Sequence, residues 1–157
     1  MEPSTVHSTF TLERSYPYPV ERVFAAFADP AKKQRWFGPG ASGTLEKFDL
    51  DFRAGGKEHL VYRMGPSAPI SGTIENSGTY HDVVPNQRFV GTYAMAHNGR
   101  TFSIAVLTIE LLPTANGTDV VCTHQGTYLE GADGPEMRKE GWTKLFGSLE
   151  QALAGGL

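Results

Sequence analysis

The sequence predicts an α+β domain over residues 1–157, in which a seven-stranded, curved antiparallel sheet wraps a long C-terminal helix. Three observations predict it. Residues from Thr44 to Tyr128 alternate apolar and polar side chains with period two, Asp133 to Ala154 carry apolar residues at helical spacing, and turn residues punctuate the boundaries. At 157 residues one core can form without staples, since folding at this size buries roughly two-thirds of the surface of the unfolded chain.

The first strand runs from Ser8 to Ser15, where Phe10 and Leu12 alternate with Thr9, Thr11 and Glu13 before Tyr16-Pro17 ends the run. Pro19 suits the first turn of a helix, and Val20, Val23, Phe24 and Phe27 then form one apolar face. Asp29-Pro30 breaks that helix and caps a second, short one over Ala31 to Trp36, which Gly38-Pro39-Gly40 stops. Two short helices therefore follow strand one.

About six strands come next, separated by Gly55-Gly56, Gly65-Pro66, Pro85-Asn86, Asn98-Gly99 and Asn116-Gly117. Both Asn-Gly pairs point to type I′ hairpins, because that turn demands positive φ at both central residues. The segments Arg88–Ala96, Thr101–Leu112 and Thr118–Tyr128 pair as a meander. In the last helix Trp142, Leu145, Phe146, Leu149 and Leu153 make the apolar stripe, while Arg138, Lys139, Lys144 and Glu150 fall on the opposite face.

Composition narrows the function classes. A formal charge of −3 with scattered Lys and Arg offers no field for nucleic acid. No apolar run nears the roughly 20 residues that cross a bilayer, and Met1 to Ser8 lack the pattern of an export signal, so no membrane insertion is expected. The single cysteine, Cys122, fits a reducing cytoplasm and reads as a small buried hydrophobe. His7, His59, His81, His97 and His124 never fall at zinc-motif spacing, so no metal is expected. Phosphate-loop and nucleophile-elbow motifs are absent, and the spacing Gly38-x-Gly40-x-x-Gly43 follows a helix rather than a strand. No cofactor is expected either.

Strand alternation says which side chains face the helix. Val120, Cys122, His124 and Tyr128 turn inward, as do Leu60, Tyr62 and Met64 with Glu58 near the strand's start. Phe89, Gly91, Tyr93 and Met95 share an inner face. With Trp36 and the helix residues Trp142, Leu145, Phe146 and Leu149, these line a pocket suited to a ligand with an apolar body and one or two polar atoms. His124 and Glu58 are the acid–base candidates should there be catalysis, although His124 can equally be a hydrogen-bonded core residue and Glu58 a solvated strand-end charge. Arg53 and Arg14 can bind an anionic ligand group, although pairing with a nearby Asp such as Asp49 or Asp51 is the commoner fate, and Trp36-Phe37 form a lid at the mouth.

A resemblance accompanies this reading. Arg14 with the Pro17–Pro19 bend, Val23-Phe24-Ala25-Ala26-Phe27 before Asp29-Pro30, and Trp36-Phe37-Gly38-Pro39 come first. Asp51-Phe52-Arg53 with Gly55-Gly56, Gly78-Thr79-Tyr80 with Val84-Pro85 and Arg88, and Gly141-Trp142 with Leu145, Leu149 and Leu153 follow in order. In that order they resemble bacterial proteins similar to the C-terminal domain of the heat-shock-protein-90 ATPase activator, within the START-like, polyketide-cyclase-like (SRPBCC, Bet v 1-like) superfamily. The resemblance implies the helix-grip fold with a cavity between helix and sheet for a hydrophobic or amphipathic molecule.

Three functions stay open. The first is binding or carriage of a small hydrophobic ligand without chemistry, favoured by the lack of a catalytic constellation. The second is a cyclase- or dehydratase-like enzyme acting on an aromatic or polyketide-like substrate. The third is a protein-interaction module that contacts a chaperone. An open sheet also leaves edge groups through which a homodimer can pair.

Overall fold

The computed structural model describes residues 2–157 and shows one seven-stranded antiparallel sheet in the order β1-β7-β6-β5-β4-β3-β2. In chain order the elements are β1 (Val6–Tyr16), α1 (Val20–Ala28), α2 (Pro30–Gln34), β2 (Gly43–Leu50), β3 (Lys57–Met64), β4 (Gly72–Val84), β5 (Arg88–His97), β6 (Arg100–Thr114), β7 (Gly117–Tyr128) and α3 (Pro135–Ala154). Strands β2 to β7 form a meander, and β1 returns to pair with β7, leaving β1 and β2 as the edges. This is the helix-grip arrangement, with α3 against the concave face. Register irregularities at Leu45/Lys47, Tyr80/Asp82 and Met95/Ala96 supply the local bends that curve such a sheet.

Local chemistry explains most boundaries. Asp29 ends α1 and caps α2, its carboxylate accepting from the Ala31 and Lys32 amides at 2.9 and 3.4 Å. The second helix stops at Gln34, so Trp36 lies beyond it rather than inside it. Of the two Asn-Gly pairs only Asn98-Gly99 makes the expected turn, with φ of 48° and 84°. Asn116 has no positive φ; Gly117 is required there because a Cβ would stand 2.0 Å from the Tyr16 carbonyl oxygen. That glycine lets the β6–β7 hairpin abut the end of β1.

The core sits between α1, α3 and the β1, β7, β6, β5 end of the sheet. Val23 and Phe27 of α1, Phe146, Leu149 and Leu153 of α3, and Phe89, Ile109 and Val120 of the sheet are at most 1 % exposed. Tyr16 locks β1 to the helix by donating to the Phe146 carbonyl at 2.9 Å, and burial pushes its phenol well above the usual range. Arg22 fixes the other end, donating to the Leu153 and Leu157 carbonyls at 2.5 and 2.7 Å while its guanidinium lies over Tyr18. Removal of this much apolar surface from water is the main drive for docking α3.

Candidate functional site

The core does not fill the space under the N-terminal half of α3. Gly78, Gly91 and Gly126 on the inner face are overlain by the Tyr93, His124 and Tyr128 rings, and Ala105 between them faces open space. There a cavity of about 410 Å³ lies between the sheet and the helix. Its floor is the sheet, its roof is the stretch of α3 from Met137 to Ser148, and its mouth lies by Gly40, Ser42 and Pro69.

Tyr93 occupies part of the glycine-lined space. Its ring leans over both neighbouring glycines, so that a Cβ at Gly78 would stand 2.5 Å from the ring and one at Gly91 2.9 Å from the hydroxyl. Burial and the nearby Glu58 charge hold its phenol well above the usual value. On the other side of the floor, His124 and Tyr128 flank Gly126 in the same manner. His124 stacks on Phe10 at 4.8 Å between ring centroids.

Two polar clusters interrupt the apolar wall. In the first, Glu58 accepts from Lys33 at 2.5 Å, from the Tyr80 hydroxyl at 2.8 Å and from the Asn76 amide at 3.3 Å. Both members of the ion pair are closed to solvent, at 4 % and 0 % exposure. Lys33 reaches inward because Asp29 sets the direction of α2, and its ammonium also sits 4.6 Å over the Phe37 ring. In the second, Arg138 forks onto both oxygens of Asp133 at 2.8 Å, donates to Ser103 at 2.9 Å and approaches His124 Nε2 at 3.4 Å. Burial first, and the Arg138 charge second, push the His124 pKa down to about 4. Burial likewise lifts Tyr62, beside this cluster, to about 12.

Most of the residues read as inward-facing do line the cavity: Leu60, Tyr62 and Met64 from β3, Phe89, Tyr93 and Met95 from β5, His124 from β7, and Trp142 and Leu145 from α3. Four do not. Trp36 is a core residue, 4 % exposed, its indole N–H donating to the Ala26 carbonyl at 2.9 Å and its ring edge-on to Phe27. It cannot act as a lid; Phe37, which follows it, faces the cavity. Cys122 lies outside the lining, opposite Leu12 and Ile109, and burial raises its thiol to about 12, so it is an inert packing residue. Phe146 and Leu149 lie on the side of α3 that contacts solid core rather than the cavity.

Two charge assignments need correction. Glu58 is no solvated strand-end charge, being 1 % exposed with Lys33 against it. Arg138 is not on the outer face of α3: it is 9 % exposed and extends the buried stripe one turn ahead of Trp142. Arg53 pairs with Asp51 at 2.9 Å at the surface, whereas Arg14 does not meet an Asp: it donates to the Glu13 carbonyl, and Asp49 pairs with Lys47. Sequence reasoning missed Lys33, Asn76, Ser103 and Asp133. The i−4 spacing of Arg138 from Trp142 was the one available signal for the second cluster. Among the described residues, no group of three His, Cys, Asp or Glu side chains is placed to hold a metal, and no helix is long and apolar enough to cross a membrane.

Comparison with known proteins follows the same outline. A protein of Rhizobium loti is 37 % identical, over 96 % of this chain and 99 % of its own, with a TM-score of 0.84. An uncharacterized protein of Rhizobium leguminosarum is 28 % identical over 96 % and 97 %, with a TM-score of 0.86. The AHSA1 protein of Silicibacter pomeroyi is 26 % identical over 94 % and 98 %, with a TM-score of 0.74. No curated protein matches the chain by sequence. The family profile of the activator of Hsp90 ATPase homolog 1-like proteins matches residues 17–154, nearly the full length of the fold described above. The chain belongs to that family.

Proposed function

We propose that the protein binds a small molecule with an apolar body and a polar end in the cavity between α3 and the sheet. The observation that carries this is the cavity itself, about 410 Å³ with a predominantly apolar wall and two internally satisfied ion pairs. That volume falls within the roughly 300–1,000 Å³ of small-molecule sites, and a wall with few, fixed polar groups is what orients a ligand. A void this large left empty would sacrifice packing contacts that an apolar ligand restores.

Acid–base catalysis is the weaker reading. Both oxygens of Glu58 already accept hydrogen bonds, and His124 with a pKa of about 4 is a weak base held by Arg138. Chaperone contact finds little support in the surface, since the exposed large hydrophobic residues Val6, Ile104, Leu112 and Met137 are dispersed over β1, β6 and α3. A cytoplasmic setting suits the one buried thiol, and a homodimer would use the edges β1 or β2.

The test is titration with N-phenyl-1-naphthylamine, an uncharged fluorescent probe, together with native mass spectrometry of protein from its own host. Saturable probe binding displaced by a co-purifying compound is the expected result. Absence of both saturable binding and any co-purifying mass overturns the proposal.

A further inference from the structure

We propose that Arg138 anchors a ligand carboxylate, and that Asp133 holds this place in the ligand-free protein until an acid with an apolar body displaces it. The inference rests on the binding function proposed above and names the polar end of the ligand.

The two ion pairs of the cavity wall are built differently. Lys33 and Glu58 stand on regular elements, α2 and β3, and Glu58 also accepts from Tyr80 and Asn76 of β4. That pair is part of the wall. Asp133 belongs to no helix or strand; it lies in the loop between β7 and α3, and among the described residues its carboxylate accepts from Arg138 alone. Gly131 and Gly134 bracket it with φ of 79° and 89°, and a Cβ on either would meet nothing within 4 Å. Glycines in open space let such a loop change conformation at little cost. The Asp133 side chain is already 12 % exposed, so turning outward returns its charge to water.

Arg138 keeps its position without Asp133. It is rooted in α3, its Nη2 donates to Ser103 at 2.9 Å, and its guanidinium lies 5.3 and 5.9 Å from the Tyr128 and Phe102 ring centroids. The guanidinium edge that now holds both Asp133 oxygens at 2.8 Å would offer the same two parallel donors to another carboxylate. Both residues line the cavity, so an acid inside it reaches that edge. Exchange preserves a paired guanidinium, and hydration of Asp133 offsets the desolvation of the incoming charge.

The same geometry sets the selectivity. Asp133 is tethered five residues from Arg138 and competes at high effective concentration, so a free acid wins only through the apolar body it buries. Each added methylene should strengthen binding about fourfold. An amine finds no such exchange, because Glu58 is held by three donors and Asp133 could turn to an ammonium only by abandoning the buried guanidinium.

The test compares decanoate, decan-1-ol and decylamine near pH 7, where the acid and the amine are both ionised, by calorimetry and by displacement of N-phenyl-1-naphthylamine. Decanoate is expected to bind about tenfold more tightly than decanol, and decylamine more weakly than either. Asp133→Asn removes the competitor and should raise the decanoate-to-decanol affinity ratio about tenfold further. Asp133→Asn combined with Arg138→Met leaves no unpaired charge, so it carries the test even if the single variant does not fold; there the ratio should fall to one or below. A wild-type ratio of one or less, a ratio that a folded Asp133→Asn variant leaves unchanged or lowers, or a preference for decanoate that survives in the double variant overturns the inference. Saturable N-phenyl-1-naphthylamine binding that decanoate cannot displace sinks the inference alone, whereas absence of binding by the dye and all three ligands removes the binding function as well.

Discussion

Lys33 Nζ stands 2.5 Å from Glu58 Oε1 inside the cavity wall, joining α2 to β3 across 25 residues of sequence. Two charges out of water offset each other's desolvation only while both are present. Glu58→Gln keeps an acceptor for Tyr80 but leaves the ammonium uncompensated, and it should cost about 3–5 kcal/mol in urea unfolding. The double substitution Lys33→Met with Glu58→Gln removes the orphaned charge and should recover most of that loss. If the double variant is as unstable as the sum of the single ones, the pair is not coupled as the geometry requires.

Stability should also depend on pH through His124. Its unfolded pKa is near 6.5 and its folded pKa about 4, so between those values the unfolded chain binds a proton that the folded chain refuses. The contribution is complete above about pH 6.5 and is lost as pH falls towards 4. At 1.36 kcal/mol per unit it amounts to about 3 kcal/mol. The groups that face the imidazole are Arg138, which opposes protonation, Asp133, which favours it, and the Phe10 and Tyr128 rings. Unfolding free energies at pH 7 and pH 4.5 should diverge less for His124→Gln, which accepts from Arg138 without titrating; equal pH dependence in both proteins would exclude this role.

Two buried tyrosines should respond oppositely to loss of the hydroxyl. Tyr16 donates to the Phe146 carbonyl, so Tyr16→Phe should cost about 1 kcal/mol, the net value of such a bond. The Tyr93 hydroxyl has only the Tyr80 hydroxyl as a weak neighbour and no well-formed hydrogen bond, so Tyr93→Phe should leave Tm nearly unchanged or raise it. Thermal unfolding of the two variants side by side checks both, and a large loss for Tyr93→Phe would reveal a protein partner that the geometry lacks.

The contrast between these residues also shows what a sequence can and cannot say about such a site. Period two placed Leu60, Tyr62, Phe89, Tyr93 and His124 on the inner face, because alternation is a local property of a strand. Helical spacing gave the Trp142–Leu153 stripe, yet it could not say that α3 covers a cavity at one end and solid core at the other. That boundary depends on where Tyr93, Ala105 and His124 come into register across separate strands. Lys33 was invisible for a related reason. Next to Lys32 it reads as a solvated charge, and only the return of β3 past α2 brings a carboxylate to it. Trp36 erred in the other direction, as an aromatic next to a glycine-rich loop whose indole N–H is satisfied by the preceding helix.

Ala105 offers the most direct test of the cavity. It lies on the floor between Tyr93 and Gly126 and is 5 % exposed. Ala105→Leu adds three carbons, worth about 0.8 kcal/mol for each one buried, against the roughly 1–3 kcal/mol that overpacking a filled site would cost. With about 410 Å³ of free space above it the first effect should win, so the ligand-free variant should unfold at the same temperature as the wild type or higher. The same isobutyl group occupies the place of a ligand. N-phenyl-1-naphthylamine should then bind at least about tenfold more weakly, equivalent to about 1.4 kcal/mol. Destabilisation would mean that the floor is already packed, and unchanged probe affinity would mean that the probe binds somewhere else. Gain of stability together with loss of binding is the combination that only a ligand-sized internal cavity produces.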